Sequence, residues 1–223
     1  MTQFSLDAMD LAALLCSRVC HDVISPVGAI VNGLEVLEEE KDESQRELAL
    51  ELIKKSAETA SSRLQFCRLA FGAAGSAGAM IDTGDAERVV RGLFADGKAS
   101  LDWHVPRVLM AKDKVKLVLN LSLIGMTALP RGGVVSVTIE GGEAATHLQI
   151  EAQGTNARLA NHVPPLLAGT PESGSVDAHG IQAYYTGLVA KSAGMTLALD
   201  AEPNLIRITA TPIPATNALE SVA

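Results

Sequence analysis

Along the first seventy residues the apolar positions recur in steps of three and four. Met9, Ala13, Cys16, Cys20, Val23, Val27, Ile30, Leu34 and Leu37 form one such series, which is the helical period. No strong breaker other than Pro26 interrupts Leu6 to Glu39, so the pattern predicts one helix there. At 1.5 Å per residue it would be about 50 Å long. The run Glu38-Glu39-Glu40-Lys41-Asp42-Glu43-Ser44 is too charged to be buried and reads as a solvated turn. Leu48, Leu52, Ala57, Ala60, Leu64, Cys67 and Phe71 mark one face of a second helix. Two long helices on a short loop make an antiparallel hairpin. Both helices carry wide apolar stripes, extended by Ile24, Val31 and Ile53. Pairing two hairpins into a four-helix bundle buries such stripes, so packing need predicts a homodimer. Cover from the second half of the chain is the alternative.

The small-residue run from Gly72 to Ala79 has almost no side chains to pack. It marks the expected boundary between a hairpin domain, residues 1–75, and a second domain, residues 80–214, with residues 215–223 as a flexible tail. Beyond the boundary the pattern turns mixed. Helices are expected over Asp85–Phe94, capped near Thr83, over Asp113–Leu129, ended by Pro130, and over Ile181–Ala193, stopped by Gly194. Strands are expected over Ser100–Val105, Val134–Ile139, His147–Ala152, Thr196–Asp200 and Leu205–Thr211, with turns at Arg131-Gly132-Gly133 and Gly141-Gly142. The fold class is therefore α+β: a helical hairpin followed by a sandwich with helices on one face of a mixed sheet.

Composition narrows the function. The 223 residues are 48% hydrophobic, 20% charged and 3% aromatic, a globular balance with an aliphatic core. The net charge of −8 argues against nucleic acid as a direct partner, which needs a basic surface. The N-terminus MTQFSLDAMD has no basic n-region. The apolar segment Val115–Leu129, broken by Lys116, Asn120, Ser122 and Thr127, is too short for a bilayer needing about 20 apolar residues. No membrane association is expected, and the chain is expected to be cytoplasmic. Three cysteines, Cys16, Cys20 and Cys67, suit a reducing compartment better than a disulfide framework. A structural zinc site needs four convergent ligands. Cys16 and Cys20 belong to the apolar stripe while His21 turns away from it, so no metal is expected.

His21 carries the most chemical information. Ser17, Ser25, Gly28 and Asn32 share its helical face, a small and polar stripe away from Val23, Val27 and Leu34. His21 is thus expected to face solvent on a surface that another protein can approach. Asp22 follows directly, and a neighbouring carboxylate can orient an imidazole. Pro26 removes one backbone hydrogen bond five residues on. A neutral imidazole near pH 7 is a good nucleophile, and its protonated form is a good leaving group. Such a residue can accept a phosphoryl group and pass it on. His104, His147, His162 and His179 are scattered without ligand spacing and read as surface histidines.

The segment Arg18-Val19-Cys20-His21-Asp22-Val23-Ile24-Ser25-Pro26 resembles the H-box of histidine kinase dimerisation domains. The strings RVCHDVISPVGAIVNGLEVLEE and LQFCRLAFGAAGSAG, with Leu101-Asp102-Trp103 and Leu129-Pro130-Arg131-Gly132-Gly133 further on, are similar to the ChpT-type histidine phosphotransferases of a bacterial cell-cycle phosphorelay. The resemblance implies a dimeric four-helix bundle followed by a degenerate kinase ATPase-like domain. It implies His21, Asp22 and Ser25 as the reacting group and its helpers, with Ser17, Arg18, Gly28 and Asn32 docking receiver domains. It implies a two-component phosphorelay in which this chain is the phosphoprotein. The implied partners are the receiver of a CckA-like hybrid histidine kinase and those of CtrA-like and CpdR-like response regulators.

The second domain is similar to a kinase ATP-binding domain that has lost its ligands. Val118-Leu119-Asn120-Leu121-Ser122-Leu123-Ile124-Gly125 resembles the N-box, but Ile124 stands where a second asparagine would hold Mg²⁺. Ile150-Glu151-Ala152-Gln153-Gly154 occupies the place of a DxG motif, with Ala152 at the adenine-binding aspartate. Ala178-His179-Gly180-Ile181-Gln182 replaces a glycine-rich turn, and no P-loop is present. No nucleotide cofactor is therefore expected, and Mg²⁺ would come from the receiver. The competing functions are an autophosphorylating kinase with an atypical ATP site and a non-catalytic dimeric scaffold.

Overall fold

The computed structural model of the chain describes residues 4–72, 78–95, 97–142 and 145–214. Helices α1 (Ala8–Glu39) and α2 (Glu43–Ala70) pack together as the expected hairpin. The Asp7 side chain caps α1 by accepting the Met9 and Asp10 N–H groups, and Asp42 caps α2 through Ser44 and Gln45. The last turn of α1 has no basic residue of its own. Arg46 of α2 supplies one, donating to the Leu37 and Glu40 carbonyls and closing the hairpin at its tip. Gly33 sets how closely the helices approach: a Cβ there would lie 2.6 Å from Ile53 Cγ1.

After the hairpin come β1 (Met80–Asp82), α3 (Thr83–Phe94), β2 (Ala99–His104), β3 (Leu109–Ala111), α4 (Lys112–Thr127), β4 (Gly133–Glu140), β5 (His147–Gln153), α5 (Val163–Ala168), α6 (Ile181–Ser192), β6 (Met195–Glu202) and β7 (Leu205–Pro212). Five strands form a mixed sheet in the order β2-β4-β5-β7-β6, with β2 parallel to β4 and every other pair antiparallel. Alternation fixes the register. Val135, Val137 and Ile139 of β4, Leu148, Ile150 and Ala152 of β5, and Ile206, Ile208 and Ala210 of β7 are buried on one face. The other face carries polar side chains, including the Arg207–Glu151 ion pair at 2.7 Å. Helix α4 is buried continuously from Val115 to Gly125 and lies at the centre of the core.

Each expected element of the second half is present, shifted by one or two residues at its ends. Three elements were not anticipated. The β1–β3 pair has three residues per strand, too few to show an alternation. Helix α5 has six residues and begins Val163-Pro164-Pro165, which reads as a loop. The expected boundary run lies largely, and the expected tail wholly, outside the described residues.

The buried residues of α2 are Ala49, Ser56, Ala60, Phe66, Cys67 and Ala70, whereas Leu48, Leu52 and Leu64 of the apolar stripe are exposed within one chain. Small residues face α1 because the helices approach closely, and the leucines point to a second side. In α1 only Pro26 and Gly33 are buried, with Met9 80% and Ile24 70% exposed. An 18-residue window of α1 has a mean hydropathy of 1.4 and is 6% buried. By length and composition α1 is long and apolar enough to cross a bilayer. Yet Arg18, His21 and Asp22 interrupt it, and Leu11, Leu14, Leu15 and Val19 pack on the core of the sheet half.

The hairpin is rooted in that core through Phe66, Cys67 and Ala70. Asn120 of α4, fully buried, donates to the Ala70 carbonyl at 3.4 Å and the Lys116 carbonyl at 2.8 Å, and the Gln182 amide of α6 donates to the Asn120 carbonyl at 3.0 Å. Asn120→Ala removes the amide that donates to the Ala70 and Lys116 carbonyls, and the side-chain oxygen that the Gln182 amide also reaches at 3.3 Å. It should lower stability by about 2–3 kcal/mol, read as a reduced urea midpoint with an unchanged m-value.

Candidate phosphotransfer site

The His21 imidazole projects from α1 with 67% of its side chain exposed, and its Nδ1 lies 3.6 Å from Oδ1 of Asp22. The Asp22 carboxylate is itself held: its Oδ2 accepts from Nε of Arg18, one turn back, at 2.8 Å. A carboxylate facing Nδ1 favours the proton on that nitrogen and leaves the Nε2 lone pair free. The geometry leaves the ring open to solvent with a carboxylate beside one of its nitrogens.

Pro26 acts through a different atom from the one its position suggests. A proline has no N–H to give to the carbonyl four residues back, which here belongs to Asp22. Arg63 of α2 takes up that carbonyl with its guanidinium. The residue beside the nucleophile is thus fixed at its side chain by Arg18 and at its backbone by Arg63. Sequence reading missed Arg63, although the carbonyl released by Pro26 signals that an outside donor is needed.

Next to His21 lies a cleft of about 390 Å³, walled by Asp22 and Ser25 of α1, Ser62 and Arg63 of α2, and Leu93 of α3. Ser17, Ser25 and Asn32 are exposed as expected, and a Cβ added to Gly28 would meet no atom within 4 Å, so this face is open. Arg18 is half-buried by its bond to Asp22. Cys67 also lines the cleft, but burial, with the nearby Asp22 charge, raises its pKa to about 11, so it is a thiol and no rival nucleophile. Among the described residues no three His, Cys, Asp or Glu side chains gather in a way that could hold a metal. His179 requires a correction. It is not one of several scattered histidines: its ring meets that of His21 edge to face, with centroids 5.5 Å apart. No local pattern signals this, because the two residues come from opposite ends of the chain.

The positions that resemble nucleotide-binding motifs are filled with packing. Ile124 and Ala152 are each 1% exposed in the core, and Asn120 is held among Ala70, Lys116 and Gln182.

The site is thus an exposed surface histidine on a helical hairpin, braced by a mixed α/β sandwich. Comparison supplies the class. Residues 83–204 match the family model of the histidine phosphotransferase C-terminal domain. The chain is 50% identical over 197 residues to the protein phosphotransferase ChpT of Brucella abortus (strain 2308), covering 88% of this chain and 93% of that one. It superposes on a solved bacterial phosphotransferase with a TM-score of 0.86 and 47% identity, over 93% of this chain and 98% of that one. The Acinetobacter baumannii histidine kinase AdeS aligns more loosely, at 12% identity and a TM-score of 0.47 over 86% of this chain and 96% of that one. The chain belongs to the histidine phosphotransferase family.

The Pro26–Arg63 relation is open to a double-mutant cycle. Arg63→Met leaves the Asp22 carbonyl without its donor and should cost about 1–3 kcal/mol in urea denaturation. Pro26→Ala restores an N–H to that carbonyl, so the double variant should regain most of the loss. Additive effects would show that the two residues act separately.

Proposed function

We propose that this chain relays a phosphoryl group through His21 between receiver-domain aspartates. The observation that carries the reading is the exposed His21 ring, with Nδ1 turned to the Asp22 carboxylate, in a chain of this family. In the forward step Nε2 attacks the phosphorus of a receiver's aspartyl phosphate. The N–P bond forms, the P–O bond breaks, and its electron pair stays on the receiver carboxylate. Asp22 offsets the positive charge that develops on the imidazole, and the return step is the reverse. Mg²⁺ belongs to the receiver. Ser17, Arg18, Ser25, Gly28 and Asn32 form the surface that receives it.

The donor fits a CckA-like hybrid histidine kinase and the acceptors fit CtrA-like and CpdR-like regulators, within a cytoplasmic two-component phosphorelay that serves the cell cycle. The packing of Ile124, Ala152 and Asn120 supports a chain that works without ATP. The unburied residues Ile24, Val27, Val31, Leu34, Leu48, Leu52 and Leu64 support a homodimer joined through the hairpins.

Two experiments test this reading. With phosphorylated receiver domains as donors, wild-type protein should gain acid-labile phosphate. His21→Ala should gain none while keeping its fold, since an exposed side chain contributes little packing. Asp22→Asn should transfer more slowly. Acid-labile phosphate on His21→Ala would place the nucleophile elsewhere. Separately, Leu34→Glu with Leu64→Glu should shift a dimer to a folded monomer in sedimentation, because both positions are solvent-facing within one chain. A wild-type monomer at micromolar concentration would overturn the dimer.

A further inference from the structure

We propose that His179 is a second imidazole of the phosphotransfer site, whose ring N–H hydrogen-bonds the phosphoryl group as it passes through His21. The proposal rests on the phosphotransfer reading above and adds a residue from the other half of the chain.

The contact between the two rings is set by the fold. His179 sits in the turn before α6. The Asp177 carboxylate accepts the backbone N–H of His179 at 3.1 Å and of Gly180 at 2.7 Å, and the Asp177 carbonyl accepts from Ile181 at 2.9 Å. The turn packs closely on α5: a Cβ at position 180 would lie 2.6 Å from Leu166 Cδ1. Helix α6 is in turn tied to the start of α1. The Tyr184 hydroxyl accepts the Leu6 N–H at 3.3 Å, and its ring meets Phe4 edge to face at 5.6 Å. A braced turn on one element and a fixed helix on the other thus bring two exposed imidazoles together, with an interplanar angle of 76°.

The electrostatics leave a role for this ring. A phosphoryl group on Nε2 brings non-bridging oxygens that need donors. Of the guanidinium groups that line the cleft beside His21, Arg18 spends its Nε on the Asp22 carboxylate and Arg63 one terminal nitrogen on the Asp22 carbonyl, which turns both toward Asp22. Neither ring nitrogen of His179 has a hydrogen-bond partner among the described residues. At a centroid separation of 5.5 Å, a side-chain rotation carries its N–H to the phosphoryl oxygens. A donor aimed where charge accumulates accelerates transfer without giving up its proton. The N–P bond still forms as the P–O bond to the receiver breaks, and the proton count is unchanged.

The test uses the full chain and two phosphoryl donors: a phosphorylated receiver domain, and phosphoramidate, which needs no docking surface. His179→Ala should slow the gain of acid-labile phosphate from both donors by roughly ten-fold or more and shift the ³¹P resonance of phosphorylated His21, with an unchanged melting temperature. His179→Gln keeps an N–H of similar reach and should recover most of the rate. Wild-type rates and an unshifted resonance in His179→Ala would overturn the proposal. So would equal losses in the Ala and Gln variants, or a loss confined to the receiver donor, since either means that the ring only supports docking. His21→Ala in the same series separates the two readings: phosphate on that variant overturns the site itself, whereas a silent His21→Ala beside an unimpaired His179→Ala overturns only the role of His179.

Discussion

The hairpin has almost no core of its own, and the rest of the site depends on how it is rooted. Phe66, Cys67 and Ala70, in the last turns of α2, enter the core built around α4. The Asn120 amide grips the Ala70 carbonyl there. That anchorage positions Arg63, one turn before Cys67, and Arg63 positions Asp22 across the hairpin. Asp22 then faces Nδ1 of His21. A reactive side chain that is two-thirds exposed cannot be held by packing on itself. It is held by a chain of contacts that begins in the interior.

The same interior fills the positions of the sequence that resemble nucleotide-binding motifs. A buried amide must be paired or its burial is costly. Asn120 meets that demand by donating to the Ala70 and Lys116 carbonyls and accepting from the Gln182 amide at 3.3 Å. Ile124 and Ala152 replace hydration-hungry groups with apolar contacts, and Ala152 pairs with Val135 and Ile206 across the sheet. The interior around α4 is a buttress for the hairpin and the α6 turn.

What could be read in the sequence follows from the range of the interactions. The long helices and the alternating strands of the large sheet were legible, because each element repeats its own pattern over many residues. His21, Asp22 and their small polar face were legible for the same reason, since helical spacing alone places Ser17, Ser25, Gly28 and Asn32 beside the ring. The three-residue strands β1 and β3 and the six-residue α5 were not, because no period develops over so few residues. The face of α2 that meets α1 was not legible, because it follows from the close approach at Gly33, which no periodicity of α2 reports. Arg63 and His179 depend on contacts across the hairpin and between α1 and α6, which local spacing does not encode.

The surface of helix α1 divides into three strips. At about 100° per residue, Pro26 and Gly33 point to the α2 side, while Ile24, Val27, Val31 and Leu34 form a separate strip on the opposite flank of His21. Ser17, Ser25, Gly28 and Asn32 lie between these two faces. Apolar cover over the strip, as a second hairpin would give, leaves the His21 face open, because the two directions diverge around the helix. Pro26 serves this division twice. Its ring is buried toward α2, and the carbonyl that it leaves unbonded belongs to Asp22, on the turn that carries the nucleophile. The brace on the inner side and the His21 ring on the outer side are therefore joined through neighbouring backbone, so that the ring stays exposed while the residue beside it is held.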